Sequence, residues 1–291
     1  MSGLDGKTLL FLGGAERSGT SWLQLMLATH PAIVSGPETH LFSSLIRPAV
    51  TKYTQLAEQG FSEGLHRYFD RSQFLAELLC PVAETVLARI AQADPAASVI
   101  LEKTPGHMLS AGLIDAVLAE RRPRFLHLVR DPRAVFASRK AAAREDWGAW
   151  ADMPPGKFAQ TWLSFHRDRQ NNRDLLGDRY LELRYEDLRH DTPRVLGQLL
   201  GWLQIPASDG VLAEMQQKNA LDQLQTAGED DAARQFYGTR GNFFRSGKTD
   251  GWRSELTPAE IAAIDNAAGD VMVQFGYAPD GTDAGRQGRI A

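Results

Sequence analysis

The stretch of the chain most suggestive of chemistry is a glycine-bearing turn near its start, with the spacing Gly14-x-x-x-x-Gly19-Thr20-Ser21. An uncharged apolar run precedes this turn, and a helical pattern follows it. Strand, turn and helix in this order predict a phosphate cradle, because backbone N–H groups and the positive end of the helix point at one anion. The loop that binds ATP has a lysine where Thr20 stands. Here Arg17 carries the positive charge instead. The turn therefore predicts a cradle for a 5′-phosphate group rather than for a magnesium-bound triphosphate.

Charged or phenolic side chains recur where the predicted strands end. They are Arg17, Glu38, Lys103, Arg130 and Tyr185. Helix amphipathicity does not explain this placement. The carboxyl ends of parallel strands do meet at one edge of a sheet, and open α/β sheets bind ligands there. The sequence therefore predicts a ligand site at that edge.

Apolar strand patterns alternate with helical patterns along the chain, which favours a parallel sheet. The predicted strands are residues 8–12, 32–35, 98–101, 124–129 and 180–183. We predict an α/β fold of the P-loop nucleotide-binding type, a three-layer parallel sheet with helices on both faces. We assign residues 1–291 to a single domain, with a helical insert at about residues 41–95 that we expect to help form the cleft.

Bulk properties exclude several classes of protein. The 291 residues include 32 lysines and arginines against 36 acidic residues, a net charge of −4, which does not indicate a nucleic-acid partner. Cys80 is the only cysteine, which excludes intrachain disulfides and cysteine-based zinc sites. No histidine spacing suggests a metal site. No apolar run approaches the length of a membrane span, so we expect a soluble, cytoplasmic protein.

Residues 17–22 resemble the 5′-phosphosulfate-binding loop of the sulfotransferase family. Members of this family use 3′-phosphoadenosine 5′-phosphosulfate (PAPS) as donor, release 3′-phosphoadenosine 5′-phosphate (PAP), and need no metal. The residues that the resemblance implies at the 5′ end of the donor are Arg17, Ser18, Gly19, Thr20, Ser21 and Trp22.

Two further stretches resemble the family's motifs for the 3′-phosphate. The first, residues 128–138, implies roles for Arg130 and Ser138. The second resembles R-K-G-x-x-G-D-W-K and implies roles for Arg245, Ser246 and Gly247, although Ser246 replaces the lysine and residues 250–251 invert the usual order.

The resemblance also implies an aromatic site for the adenine. Trp22 and Tyr185 match the family positions that sandwich or flank the base. Stacking on an aromatic face contributes roughly 1–3 kcal/mol.

Sulfuryl transfer is an in-line displacement in which the acceptor must lose a proton, so a base is needed. Glu38, within a G-x-E-T turn, resembles the catalytic glutamate of tyrosylprotein-type sulfotransferases. Lys103 resembles the lysine with which those enzymes stabilise the leaving group, and Arg17 would share that task. Small-molecule sulfotransferases use a histidine base, for which His107 is the candidate.

Two other functions are compatible with parts of this pattern: a P-loop nucleotide kinase-like phosphotransferase and a non-catalytic nucleotide-binding protein. The acceptor of a sulfotransferase would carry a hydroxyl or an amine, as a small molecule, sugar, lipid or peptide tyrosine does, and a homodimer is compatible with the family. Trp147, Trp150 and Trp162 are expected to pack rather than to line the acceptor pocket.

Overall fold

The computed structural model describes residues 3–145, 148–226, 232–238 and 243–278. Its centre is a five-stranded parallel sheet with the order β2-β3-β1-β4-β5. The strands are β1 (Thr8–Gly13), β2 (Ile33–Ser35), β3 (Val99–Lys103), β4 (Arg124–Val129) and β5 (Tyr180–Arg184). The predicted parallel α/β sheet is therefore confirmed. Strand β3 extends two residues further than expected, because Glu102 and Lys103 are paired with β1 and buried.

Helices connect the strands and cover the sheet. The helices α1 to α15 are Thr20–Ala28, Arg47–Glu58, Arg71–Gln73, Cys80–Ala91, Ala111–Val117, Pro132–Ala142, Pro155–His166, Arg169–Leu176, Tyr185–His190, Thr192–Leu203, Asp209–Lys218, Leu221–Gln225, Ala232–Tyr237, Trp252–Glu255 and Pro258–Gln274. Helices α7 and α8 are separate, because the backbone leaves the helical conformation at Asp168. None of the described helices is long and apolar enough to cross a membrane.

Side chains of the central strands alternate between two apolar layers. In β1, Leu9 and Phe11 belong to one cluster of buried residues, whereas Leu10 and Leu12 belong to another. The first cluster includes residues of α4 to α7 and α15, and the second includes residues of α1, α9 and α10. Because successive strand residues point to opposite faces, these clusters lie on the two sides of the sheet, and helices on both faces are confirmed.

Helix α6 begins directly after β4, and its start is fixed by Asp131. The Asp131 carboxylate accepts a hydrogen bond from the Arg133 backbone N–H, as an N-cap, and pairs with the Arg133 guanidinium at 2.8 Å. Arg133 is 1% exposed, and its guanidinium lies 4.2 Å from the centre of the Trp252 ring. The ion pair with Asp131 and the contact with Trp252 thus fix the chain directly after Arg130.

Two buried histidines stack beside β4. The rings of His127 and His166 lie 4.9 Å apart and nearly parallel, and His127 Nδ1 is hydrogen-bonded to the Tyr180 hydroxyl at 2.6 Å. Burial lowers the pKa of His127 to about 4 and lowers that of His166 well below its usual value. Both imidazoles are therefore neutral in the folded protein near neutral pH.

Lowering the pH from 7 to 5 should destabilise the protein through these histidines. The folded pKa of His127 is about 4, and an unfolded histidine titrates near 6.5. The unfolded chain therefore binds more protons in this window, and stability is lost as the pH falls from about 6.5 towards 4. We expect a loss on the order of 2 kcal/mol from His127 alone, measured by urea denaturation.

The matched comparison is His127→Gln against His190→Gln, since His190 is exposed. His127→Gln should lose less stability between pH 7 and pH 5 than the parent protein. The same pH dependence in His127→Gln and the parent would contradict the assignment.

Candidate functional site

A cavity of about 410 Å³ opens at the carboxyl edge of the sheet. All the predicted site residues line it, except Ser18, Lys103 and the alternative base His107, which are buried. Among the described residues, the insert at 41–95 contributes none of the cavity lining, contrary to the expectation that it would help form the cleft. The structure thus brings together predicted residues from five separate stretches of the chain, at 17–22, 38, 130–138, 185 and 245–247.

The glycine-bearing turn requires glycine where it packs most closely. Gly19 has φ +98°, and a Cβ there would lie 2.6 Å from the Tyr185 ring. Gly14 has φ +155°, and its Cβ would lie 2.2 Å from the Leu128 carbonyl oxygen. The turn therefore lies against β4 and α9, and the amino-terminal end of α1, which has no acidic residue in its first turn, faces the cavity.

Arg17 is held beside the turn by neutral groups. Its Nε donates to Ser138 Oγ at 3.1 Å and its Nη2 donates to the Phe243 carbonyl at 2.9 Å. Burial and the neighbouring guanidinium groups of Arg130, Arg245 and Arg139 lower the pKa of Arg17 to about 10. Arg17 is still protonated at neutral pH, so the cavity concentrates positive charge and favours an anion.

Arg130 lies at the same end of the cavity. Its Nη1 and Nη2 donate to the carbonyls of Arg17 and Lys248, at 3.1 and 2.9 Å, and its guanidinium lies 4.1 Å from the centre of the Tyr185 ring. The Tyr185 hydroxyl donates to the Gly247 carbonyl at 3.0 Å. These contacts join the ends of β4 and β5 to the loop at residues 243–251.

That loop adds the remaining predicted residues. Arg245 is about one-third exposed and pairs with Glu255 at 2.7 Å. Ser246 and Gly247 line the cavity beside it. Gly247 has φ +61°, and a Cβ there would lie 2.5 Å from Leu221.

The other end of the cavity holds an acid–base pair. The Lys103 side chain is fully buried at the end of β3 and donates to the Glu38 carboxylate and, at 3.1 Å, to Ser21 Oγ. Glu38 is about one-quarter exposed, and its other oxygen lies 3.3 Å from His40 Nε2. A partly exposed carboxylate backed by a buried ammonium can accept a proton from a group in the cavity.

Glu102 fixes the turn that carries Glu38. Its Oε1 accepts hydrogen bonds from the Thr39 backbone N–H and hydroxyl, at 3.1 and 2.9 Å, and from the Thr104 hydroxyl at 2.9 Å. His107 pairs with the same carboxylate, is 1% exposed, and does not line the cavity. Burial lowers the pKa of His107. The structure therefore brings Glu38 to the cavity and leaves His107 in the core.

Within the described part of the chain, three aromatic residues that were not predicted as site residues also line the cavity. Phe243 and Phe244 line it, next to the third motif. Trp150 lines it as well and is 48% exposed, with the Arg139 guanidinium 4.8 Å behind its ring, so the expectation that it would only pack was wrong. Trp162 is fully buried, as expected. Trp147 lies outside the described residues.

The match to a known family agrees with this geometry. Residues 10–209 match the Sulfotransferase family, and the chain belongs to that family. Its similarity to human carbohydrate sulfotransferase 1 is 28% identity over 165 residues, which cover 52% of this chain and 38% of the relative. For protein-tyrosine sulfotransferase 1 of Danio rerio, the identity is 26% over 207 residues, covering 70% and 55%. The matches span about two-fifths and just over half of these relatives' lengths.

Solved structures share the fold. Mouse sulfotransferase SULT7A1 complexed with PAP superposes with a TM-score of 0.60 at 13% identity, covering 92% of this chain and 84% of that one. The sulfotransferase domain from the curacin biosynthetic pathway superposes with a TM-score of 0.56 at 20% identity, covering 93% and 98%. The predicted fold type is confirmed.

Gly19→Ala should damage the cavity and the stability of the protein. The added Cβ would displace the Tyr185 ring and force alanine into a left-handed conformation. We expect a loss of about 1–3 kcal/mol in the free energy of unfolding, measured by denaturant titration.

Gly201→Ala is the matched control, because Gly201 lies in α10 with open space around its Cα. It should be neutral or stabilising by up to about 1 kcal/mol. Parental stability in Gly19→Ala would contradict the close approach of Tyr185.

Proposed function

We propose that this protein transfers a sulfuryl group from PAPS to an acceptor hydroxyl or amine and releases PAP. The observation that carries the proposal is the Glu38–Lys103 pair at one end of a cavity whose other end gathers Arg17, Arg130 and Arg245. A cluster of guanidinium groups suits a donor with several anionic groups, and the carboxylate–ammonium pair suits proton removal from an acceptor. Lys103 joins the two groups, because it also donates to Ser21 Oγ of the glycine-bearing turn.

The residues present fit this donor. Arg130 Nε is buried without a hydrogen-bond partner among the described residues, and burial together with the neighbouring guanidinium groups lowers the pKa of Arg17. Both features favour a bound polyanion. The 5′ end would be held by residues 17–21 and the amino-terminal end of α1.

The 3′-phosphate and the adenine would lie further along the cavity. The 3′-phosphate would be held by Arg130, Ser138, Arg245, Ser246 and Gly247, and the adenine would lie beside Trp22 and Tyr185. The Trp22 ring contacts the Tyr185 ring edge-on at 5.8 Å, and its Nε1 donates to the Asn219 carbonyl at 2.9 Å, so both rings are fixed. When bound, the donor supplies an activated sulfuryl group.

The chain's own residues supply the acid–base steps. Glu38 accepts the proton of the acceptor, because it is the carboxylate of the pair that reaches the cavity. Lys103 holds this carboxylate in place and, with Arg17, provides positive charge where negative charge develops on the leaving group. A base at His107 would require the imidazole to leave the protein core.

The acceptor would enter near the rim formed by Glu16, His40 and Trp150. An exposed indole face suits the ring of a sugar or of a phenol. The names of the relatives include a carbohydrate and a protein-tyrosine sulfotransferase. A panel of phenols, sugars and tyrosine peptides is therefore the appropriate set of acceptors to test.

Calorimetric titration with PAP, set beside ATP with magnesium, tests the donor site. We expect PAP to bind at micromolar concentration and Arg130→Ala to weaken binding by about 100-fold, because a buried charge-assisted contact contributes about 1.5–3 kcal/mol. Arg89→Ala, on the exposed side of the insert, should bind as the parent does. Binding of ATP without PAP would favour the kinase-like phosphotransferase instead.

Glu38→Gln tests the base. With PAPS and the best acceptor of the panel, we expect kcat to fall about 10²–10⁴-fold, since general-base catalysis contributes that factor. The affinity for PAP should change less than about threefold, because Glu38 belongs to the other end of the cavity. The surface variant Glu58→Gln is the control. Full turnover by folded Glu38→Gln would exclude Glu38 as the base.

A further inference from the structure

Two stacked aromatic rings lie against the two cations of the proposed catalytic machinery. Tyr237 and Phe243 stack with their centres 4.9 Å apart and an angle of 17° between their planes. The Lys103 ammonium lies 4.7 Å from the centre of the Tyr237 ring, and the Arg17 guanidinium lies 5.0 Å from that of Phe243. A ring face attracts a cation, and most strongly where water is excluded.

The Tyr237 hydroxyl connects to the turn of Glu38 through Gln24. It donates a hydrogen bond to Gln24 Oε1, and Gln24 is fully buried. The amide nitrogen of Gln24 donates to Ser35 Oγ and to the Gly36 carbonyl, both at 2.8 Å. Gly36 is two residues before Glu38. A continuous hydrogen-bonded path therefore runs from α13 to the start of that turn.

Tyr237 does not itself line the cavity. It is 5% exposed, and burial raises the pKa of its phenol, so the hydroxyl is a permanent hydrogen-bond donor. One side chain thus contacts Lys103 through its ring and is linked to the start of the Glu38 turn through its hydroxyl and Gln24.

We propose that Tyr237 is a positioning residue for sulfuryl transfer, which holds Lys103 and the Glu38 turn in their reactive arrangement without touching donor or acceptor. This inference rests on the proposed function. Tyr237 acts through two contacts: its ring lies against the Lys103 ammonium, and its hydroxyl donates to Gln24. Two substitutions can therefore test these contacts one after the other.

The test compares Tyr237→Phe and Tyr237→Leu with the parent protein and with Phe236→Leu. Phe236 is the preceding aromatic residue of the same helix and does not line the cavity, so its variant controls for general loosening of α13. Three measurements are made: steady-state kinetics with PAPS, which give kcat and KM; calorimetry, which gives the affinity for PAP; and mass spectrometry, which gives the rate at which an amine-acylating reagent modifies Lys103.

Tyr237→Phe keeps the ring and loses the hydroxyl. We expect kcat to fall about 3–10-fold, with KM for PAPS and the affinity for PAP within about twofold of the parent and Lys103 still protected. Tyr237→Leu also loses the ring, so kcat should fall at least about 30-fold and acylation of Lys103 should accelerate several-fold. Phe236→Leu should match the parent in all three.

Three results would overturn the inference. In the first, the kcat of both Tyr237 variants equals the parent value. In the second, PAP affinity falls as much as kcat does, which would make Tyr237 a general support of the donor site. In the third, Lys103 is acylated at the parental rate in Tyr237→Leu. If Tyr237→Leu does not fold, Tyr237→Phe decides, because its change is smaller. A parent protein that binds no PAP would refute the proposed function, whereas the acylation rates would still report the contact between Tyr237 and Lys103.

Discussion

The structure depends on keeping several arginines close together at the carboxyl edge of the sheet. Arg17, Arg130 and Arg139 are largely buried, and charges of like sign repel strongly where water is scarce. Two kinds of neutral partner make this possible. Backbone carbonyls accept hydrogen bonds from the guanidinium groups, and the faces of Tyr185, Phe243 and Trp150 lie against them. These partners fix the positions of the guanidinium groups.

Other arginines of this protein form close ion pairs with buried carboxylates. Arg133 pairs with Asp131, and Arg169 and Arg173 both pair with Glu182. Those pairs have structural positions, one at the start of α6 and the other beside β5. The contrast separates arginines that pair within the fold from Arg17 and Arg130, which line the cavity. Burial and the neighbouring guanidinium groups lower the pKa of Arg17.

The sequence predicted those site residues whose functional role and local secondary structure are both visible in a short stretch of chain. Gly19 is needed for the turn and Arg130 ends a strand, so both were recognisable from a few neighbouring residues. Tyr237 and Trp150 were not recognised as site residues, because their places depend on packing against distant parts of the chain. Neither the length of β3 nor the burial of His107 follows from local pattern. Lys103 is part of the sheet because Leu12 pairs with it, and that pairing joins residues far apart in sequence.

The division of labour between Glu102 and Glu38 follows from burial. Both carboxylates lie near the end of β3, but Glu102 is 3% exposed and accepts several hydrogen bonds from Thr39 and Thr104, which commits it to holding the turn. Glu38 is partly exposed and has the Lys103 ammonium behind it. Glu38, the proposed base, must exchange a proton with a bound acceptor, so it has to be exposed. Glu102 only holds the turn, and its hydrogen bonds are stronger where water is excluded. Strand β3 therefore keeps Glu102 in the core, and the turn that Glu102 holds carries Glu38 to the cavity.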